Sequence, residues 1–126
     1  MQELFYHEIT KNFLNEIRAP SMTLSDQLSL ILETDLYFLH LEFHQHNATL
    51  AFIIKDVSLS RLTTWYSKIT ERIYNIHLDI LNIGVSVLND SSIVVHTIIP
   101  NELLDTDKLV LFYELIDSKI ICEFNN

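Results

Sequence analysis

Apolar residues recur along this chain with two periods, and the switches between them mark the secondary structure. In residues 3–18, Phe5, Ile9, Phe13 and Ile17 stand four apart with Leu4 and Leu14 at the flanks, the stripe of an amphipathic helix. Ala19-Pro20 ends it, because a residue before proline avoids helical geometry. Three stretches follow, QLSLILE, LYFLHLEFHQ and ATLAFIIKDV, separated by the short polar breaks TD and HN. Leu28, Leu30 and Leu32 alternate with their neighbours, as do Tyr37, Leu39, Leu41 and Phe43, and then Leu50, Phe52 and Ile54. That pattern predicts an antiparallel meander of three strands. Ser58 or Ser60 then caps a second helix, residues 59–79, with the stripe Leu62, Trp65, Tyr66, Ile69, Ile73, Ile76 and Ile80. Arg61, Lys68, Glu71 and Arg72 fall off the stripe.

IGVSVLN and SIVVHTII form a further pair of strands about a turn at Asn89-Asp90-Ser91, closed by Pro100. Asp105 or Thr106 caps a last helix whose stripe is Leu109, Phe112, Tyr113, Ile116 and Ile120. The predicted order is α-β-β-β-α-β-β-α, an α+β domain with three helices and a five-stranded, mainly antiparallel sheet. No repeat, linker or low-complexity stretch interrupts it, and a chain of 126 residues is expected to form one domain, 1–126, since two cores would each be too small.

Composition adds what the pattern leaves open. Apolar residues make up 48% and charged residues 20%, so a core is available. No apolar run is long enough to span a bilayer, and MQELFYHEITKNF has early acids and no small-residue cleavage site, so a soluble cytosolic protein is expected. Eight Lys and Arg against seventeen Asp and Glu give a net charge of −9, which repels phosphate backbones and argues against nucleic acid as a partner. Cys122 is the only cysteine, which excludes an internal disulfide and a cysteine-based zinc site, and its apolar context reads as a small hydrophobe. With Gly84 the only glycine, no phosphate loop can form, and Ser58, Ser60, Ser91 and Ser92 lack the glycines of a nucleophile turn. Asp105 with Asp107, and Glu102 with Asp105, are acids at a helix start, where solvated caps place them. No catalytic residue and no cofactor is expected.

The stretch FLHLEFHQH carries the one pattern that looks like chemistry: His40, Glu42, His44 and His46 fall at every second position. On a strand all four share a face, and His44-x-His46 is a spacing that zinc enzymes use, which makes a small metal-dependent hydrolase an alternative reading. Four such positions span about 20 Å, however, and only the nearest pair could share an ion. His7, His77 and His96 are the other histidines, and nothing in the sequence brings His96 beside His44. The simpler reading is a sheet packed on helices through Tyr37, Leu39, Leu41 and Phe43, with the histidines on a solvated or partner-facing surface; a pH-sensitive interface is the remaining alternative, since histidine is the side-chain type suited to one. The nearly continuous stripe of the second helix around Trp65 and Tyr66, with the strand Val85–Val87, marks a candidate subunit contact.

A small acidic chain in this order, ending VSVLNDSSIVVHTIIPNELLDTDKLVLFYELI, resembles the class I type III secretion chaperones, the Tir-chaperone-like family. The resemblance spans the chain in order and length and is strongest in that last hairpin, proline-bounded loop, Leu-Asp helix entry and final helix. The sequence departs from the family in a first helix-to-strand loop without glycines and in its histidine-rich second strand. The resemblance implies a homodimer in a bacterial cytoplasm that binds the N-terminal segment of a secreted virulence effector without ATP, holding it soluble until a secretion ATPase takes it. It matches Phe5, Ile9, Phe13, Leu30 and Leu41 to effector grooves, and Trp65, Ile69, Ile73, Val85 and Val87 to the dimer contact. A non-enzymatic regulator or adaptor on the same scaffold is the alternative.

Overall fold

The computed structural model describes residues 2–55, 57–76, 82–89 and 92–121. Cys122, His77, Ile80, Asp90, Ser91 and the predicted last turn of the second helix lie outside them. The elements follow the predicted order: α1 (Gln2–Glu16), β1 (Ser29–Glu33), β2 (Tyr37–Phe43), β3 (Asn47–Ile54), α2 (Leu59–Asn75), β4 (Ile83–Val87), β5 (Ile93–Pro100) and α3 (Thr106–Leu115). A 3-10 turn at Asn101–Leu103 precedes α3, and a π-helical turn at Ile116–Ile121 continues it. The sheet order is β1-β2-β3-β5-β4, every pair antiparallel.

Alternation decides which face is buried. On the inner face, Leu30, Leu41 and Leu50 share a row with Thr97, and Leu39, Phe52 and Val95 form the next. All seven are buried, together with Phe13 of α1 and Leu109, Phe112, Ile116 and Ile120 at the C-terminal end. Each fully buried Phe or Leu contributes roughly 1.5–3 kcal/mol of transfer free energy. The π turn explains how Ile116, Ile120 and Ile121 are all buried: its wider i→i+5 closure brings residues four and five ahead to the same side.

The buried seam of α1 differs from the expected one. Tyr6, Ile9, Thr10, Phe13 and Leu14 are buried, whereas Phe5 is 48% exposed and Leu4 is exposed too. A line of strict four-residue steps drifts about 40° per step around a helix, so one through Phe13 and Ile9 leaves the core before it reaches Phe5. Tyr6 takes the place, its ring stacked on Phe43 with centroids 4.6 Å apart and its hydroxyl donating to the His44 carbonyl at 3.3 Å. Thr10, buried among apolar side chains, donates its hydroxyl to the Tyr6 carbonyl at 2.8 Å.

α1 stops at a Schellman turn. Ala19 N–H reaches Leu14 O, Arg18 N–H reaches Asn15 O, and Arg18 holds φ 59°. Leu28, at the far end of the same loop, holds φ 58°. The loop that lacks glycine therefore contains two left-handed positions, both filled by residues with side chains.

α2 packs against β4 and the π turn. Ser58 is its N-cap by position, but its hydroxyl lies 3.2 Å from Ser60 Oγ rather than capping the helix. Asp105 does cap α3, its Oδ1 accepting from Lys108 N–H at 2.8 Å.

Candidate functional site

The outer face of the sheet carries the histidines. In cross-strand register, Ile31, His40, Ala51, His96 and Gly84 form one row, and Ser29, Glu42, Thr49 and Ile98 form the next. His96 thus stands two strands from His40 on the same face, a proximity that only the β3–β5 pairing reveals. The face is half apolar: Ile31 is 56% exposed and Ile98 53%. β2 ends at Phe43, so His44 lies just beyond the strand, and His46 is exposed in the turn to β3. Asn101 fixes this turn, donating N–H to the His46 carbonyl at 3.1 Å and Nδ2 to the Gln45 carbonyl at 2.9 Å.

His40 and His44 both turn Nε2 towards the Glu42 carboxylate, at 3.4 and 3.6 Å, and His44 Nε2 also lies 3.2 Å from Thr49 Oγ1. These are hydrogen-bond and ion-pair distances. Among the described residues no three His, Cys, Asp or Glu side chains are close enough to hold a metal ion. Of the pair on which the hydrolase reading is centred, His44 faces Glu42 and Thr49, and His46 is exposed in the turn.

His96 is placed by the glycine opposite. A Cβ on Gly84 would lie 2.7 Å from His96 Cε1 and 2.9 Å from Nε2, so the ring occupies the space that any other residue would fill. Nε2 is 3.3 Å from Ser86 Oγ. The only glycine of the chain therefore serves a ring rather than a turn.

The residues matched to effector grooves and to a dimer contact divide by burial. Ile9, Phe13, Leu30 and Leu41 are buried in the core and have no surface to offer a bound segment; of that set only Phe5 is exposed. Ile69 is likewise buried within the chain, at 0% exposure, so its side chain cannot meet a second subunit. Trp65, Ile73 and Val85 are half-buried against the core, and Val87 is exposed. Four-residue steps from the margin of the buried side of α2 outwards run through Tyr66, Thr70 and Tyr74, and Tyr74 is 85% exposed. A shallow cleft lined by Tyr66, Ser67, Thr70, Glu71 and Tyr74 opens there. Tyr66 belongs to the expected stripe and lies at its exposed margin, whereas Tyr74 lies off that stripe.

On the inner side of the sheet, Tyr37 Oη donates to Asp117 Oδ1 at 2.6 Å and lies 3.1 Å from Tyr113 Oη. Burial and the Asp117 carboxylate push the Tyr37 phenol well above its ordinary range, and burial raises Tyr113 as well. This network ties β2 to the π turn and touches no cleft described above.

No helix among the described residues is long and apolar enough to cross a membrane. No family model matches the sequence, and no curated protein matches it significantly. Solved structures do match. The type III secretion chaperone SycH of Yersinia pestis, in complex with a stable fragment of YscM2, aligns over 91% of this chain and 97% of its own, with 12% identity and a TM-score of 0.61. YbjN from E. coli, described as a putative transcription regulator, aligns over 90% of this chain and 84% of its own, with 9% identity and a TM-score of 0.55. The heterodimeric ExoU-SpcU complex from the type III secretion system of Pseudomonas aeruginosa gives 11% identity, coverage of 91% and 90%, and a TM-score of 0.49. At these identities the likeness is one of architecture: the chain has the α-β-β-β-α-β-β-α fold in which SycH is built.

Proposed function

We propose that this chain is a type III secretion chaperone that binds the N-terminal segment of a secreted effector and keeps it soluble and competent for export. The observation that carries the reading is the likeness to SycH over nearly the full length of both chains, in a structure that holds a fragment of a second protein. The surfaces are of a kind that suits the role. An extended client adds main-chain hydrogen bonds to a sheet edge and seats side chains on apolar surface. β1 is an edge strand, and Ile31 and Ile98 stand exposed on the outer sheet face. Ordering the client offsets much of the gain, so tight binding needs several such contacts. Phe5 on α1 is offered as one of them.

The chaperone works as a homodimer in the bacterial cytoplasm, and a secretion ATPase receives its client. The subunit contact uses the outer side of α2 at Tyr66 and Tyr74, with Trp65 and Ile73 at its margin and Val85 and Val87 of β4 beside it. Co-expression with each secreted protein encoded nearby, followed by affinity purification and light scattering, tests the reading. A complex of two chaperones with one effector is the expected result. A chain that remains monomeric at micromolar concentration and retains no such protein overturns it.

The likeness to YbjN favours a second reading, a regulator or adaptor that binds a folded partner. A partner that stays bound as a folded domain, rather than through an unfolded N-terminal segment, would select that alternative.

A further inference from the structure

We propose that residues 20–24 form a strap that opens locally while the rest of the chain stays folded. This goes beyond client binding and does not depend on it. The strap lies between two closed turns. At one end, Ala19 N–H reaches Leu14 O at 2.9 Å and Arg18 N–H reaches Asn15 O at 3.1 Å, which ends α1. At the other, Leu28 N–H reaches Ser25 O at 2.9 Å, and Ser25 is tied to Ser29 through its N–H at 2.8 Å and its hydroxyl at 3.1 Å. The Leu28 carbonyl accepts from Phe43 N–H at 3.0 Å, which fixes that end to β2.

Between those turns the chain is fastened at one point. Among the described residues, no hydrogen bond engages residues 20–24, from main chain or side chain. Pro20 has no N–H to give, and Ser21, Met22 and Thr23 are exposed. Leu24 alone of the five is buried, at 7% exposure, as a member of the core. A segment with one buried apolar side chain and no hydrogen-bonded backbone belongs to the part of a protein that opens without global unfolding.

The ends of the strap work against closure. Among the described residues, positive φ occurs only at Arg18 and Leu28, and these two bracket the segment. In that region a Cβ crowds the next carbonyl oxygen, which disfavours each residue by about five- to thirtyfold. Seating one leucine favours closure by about ten- to a hundredfold. The turn hydrogen bonds add to closure, so the closed form prevails, by a margin far smaller than that of the core. Opening unseats Leu24 and uncovers Leu14 and Ala19, which line a cleft of about 270 Å³ between α1 and this loop. The strap therefore controls access to apolar surface beside the last turns of α1.

Native-state proteolysis of the full chain with subtilisin, at urea concentrations below the unfolding midpoint, tests this. Cleavage within residues 20–24 is expected at a rate that hardly changes with urea, because opening exposes little surface. Cleavage within the strands should instead rise steeply with urea, as global unfolding does. Leu24→Ala unfastens the strap and should speed its cleavage about tenfold. Arg18→Gly and Leu28→Gly relieve the closed form, since glycine takes left-handed geometry without a Cβ clash, and each should slow cleavage about fivefold. Three results each overturn the proposal. One is cleavage of the strap only at the rate of global unfolding. The second is cleavage that Leu24→Ala leaves unchanged, which would mean that the closed loop is cut as it stands. The third is cleavage that neither glycine variant slows.

Discussion

Tyr37 shows how much one hydroxyl can organise. It ends in a network with Tyr113 and Asp117 that fastens the interior strand β2 to the π turn. Its phenol is raised above the ordinary tyrosine value by burial first and by Asp117 second. A raised folded value means that the folded chain holds its proton more tightly than the unfolded one. The associated stability is complete below about pH 10, the unfolded tyrosine value, and falls as pH rises beyond it. Urea midpoints between pH 8 and 11 should decline above pH 10, and Tyr37→Phe should flatten that decline in part, Tyr113 accounting for the remainder. At pH 8 the same substitution should cost about 1.5–3 kcal/mol, since it leaves a carboxylate without its donor. Gly84 makes a second test at this scale. Gly84→Ala drives a methyl group into the His96 ring and should cost about 1 kcal/mol, as overpacking does. With His96→Ala in place the space is open, and the same Gly84→Ala step should become neutral or stabilising, because alanine loses less backbone entropy on folding. Thermal melts of the four combinations read this directly.

Among the elements, those with a strong period were legible in the sequence and those shaped by the third dimension were not. Tyr37, Leu39, Leu41 and Phe43 alternate cleanly, and all four are buried as the alternation requires. α1 was legible as a helix but not in its orientation: both Phe5 and Tyr6 are aromatic, and only contact with Phe43 selects Tyr6. The end of the last helix reads as one apolar stripe, whereas the π turn is needed to bury Ile121 beside Ile120. Helix starts divide in the same way. Serine and aspartate are equal candidates by residue type, yet Ser58 turns to Ser60 and Asp105 turns to its own helix. The Lys108 backbone N–H, and then its ammonium, hold the Asp105 carboxyl below its ordinary value. Its contribution is present in full above the unfolded carboxylate value of about 3.9 and is lost as pH falls below that value and through the lowered folded one. Asp105→Ala should therefore destabilise by about 1 kcal/mol at neutral pH, with a smaller difference at pH 3, whereas Ser58→Ala should leave a urea midpoint nearly unchanged. The histidines illustrate the limit for sites: spacing alone places His40, Glu42 and His44 on one face, but His96 joins them only through the β3–β5 register.

For the molecule as a whole, the decisive division is between the two sides of α2. The inner side closes the core through Ile69, and the outer side presents Tyr66 and Tyr74 to solvent. Changes on the two sides should therefore fail in different ways. Ile69→Ala opens a cavity and should cost about 2–5 kcal/mol of folding free energy whatever the state of association. Ile69→Asp places an unpaired carboxylate in an apolar interior and should leave no folded chain to weigh. Tyr66→Asp with Tyr74→Asp removes two aromatics that the core does not use, so near-ultraviolet dichroism should keep its fold signature apart from the lost tyrosines. If a second copy covers this face, the double variant puts like charges at the centre of a self-complementary contact, where a residue and its symmetry mate meet. Light scattering at micromolar concentration should then report a dimer for the unmodified chain and a folded monomer for the variant. A variant that stays dimeric moves the contact off α2, with the free edge of β4 next in line, where Val87 is already exposed.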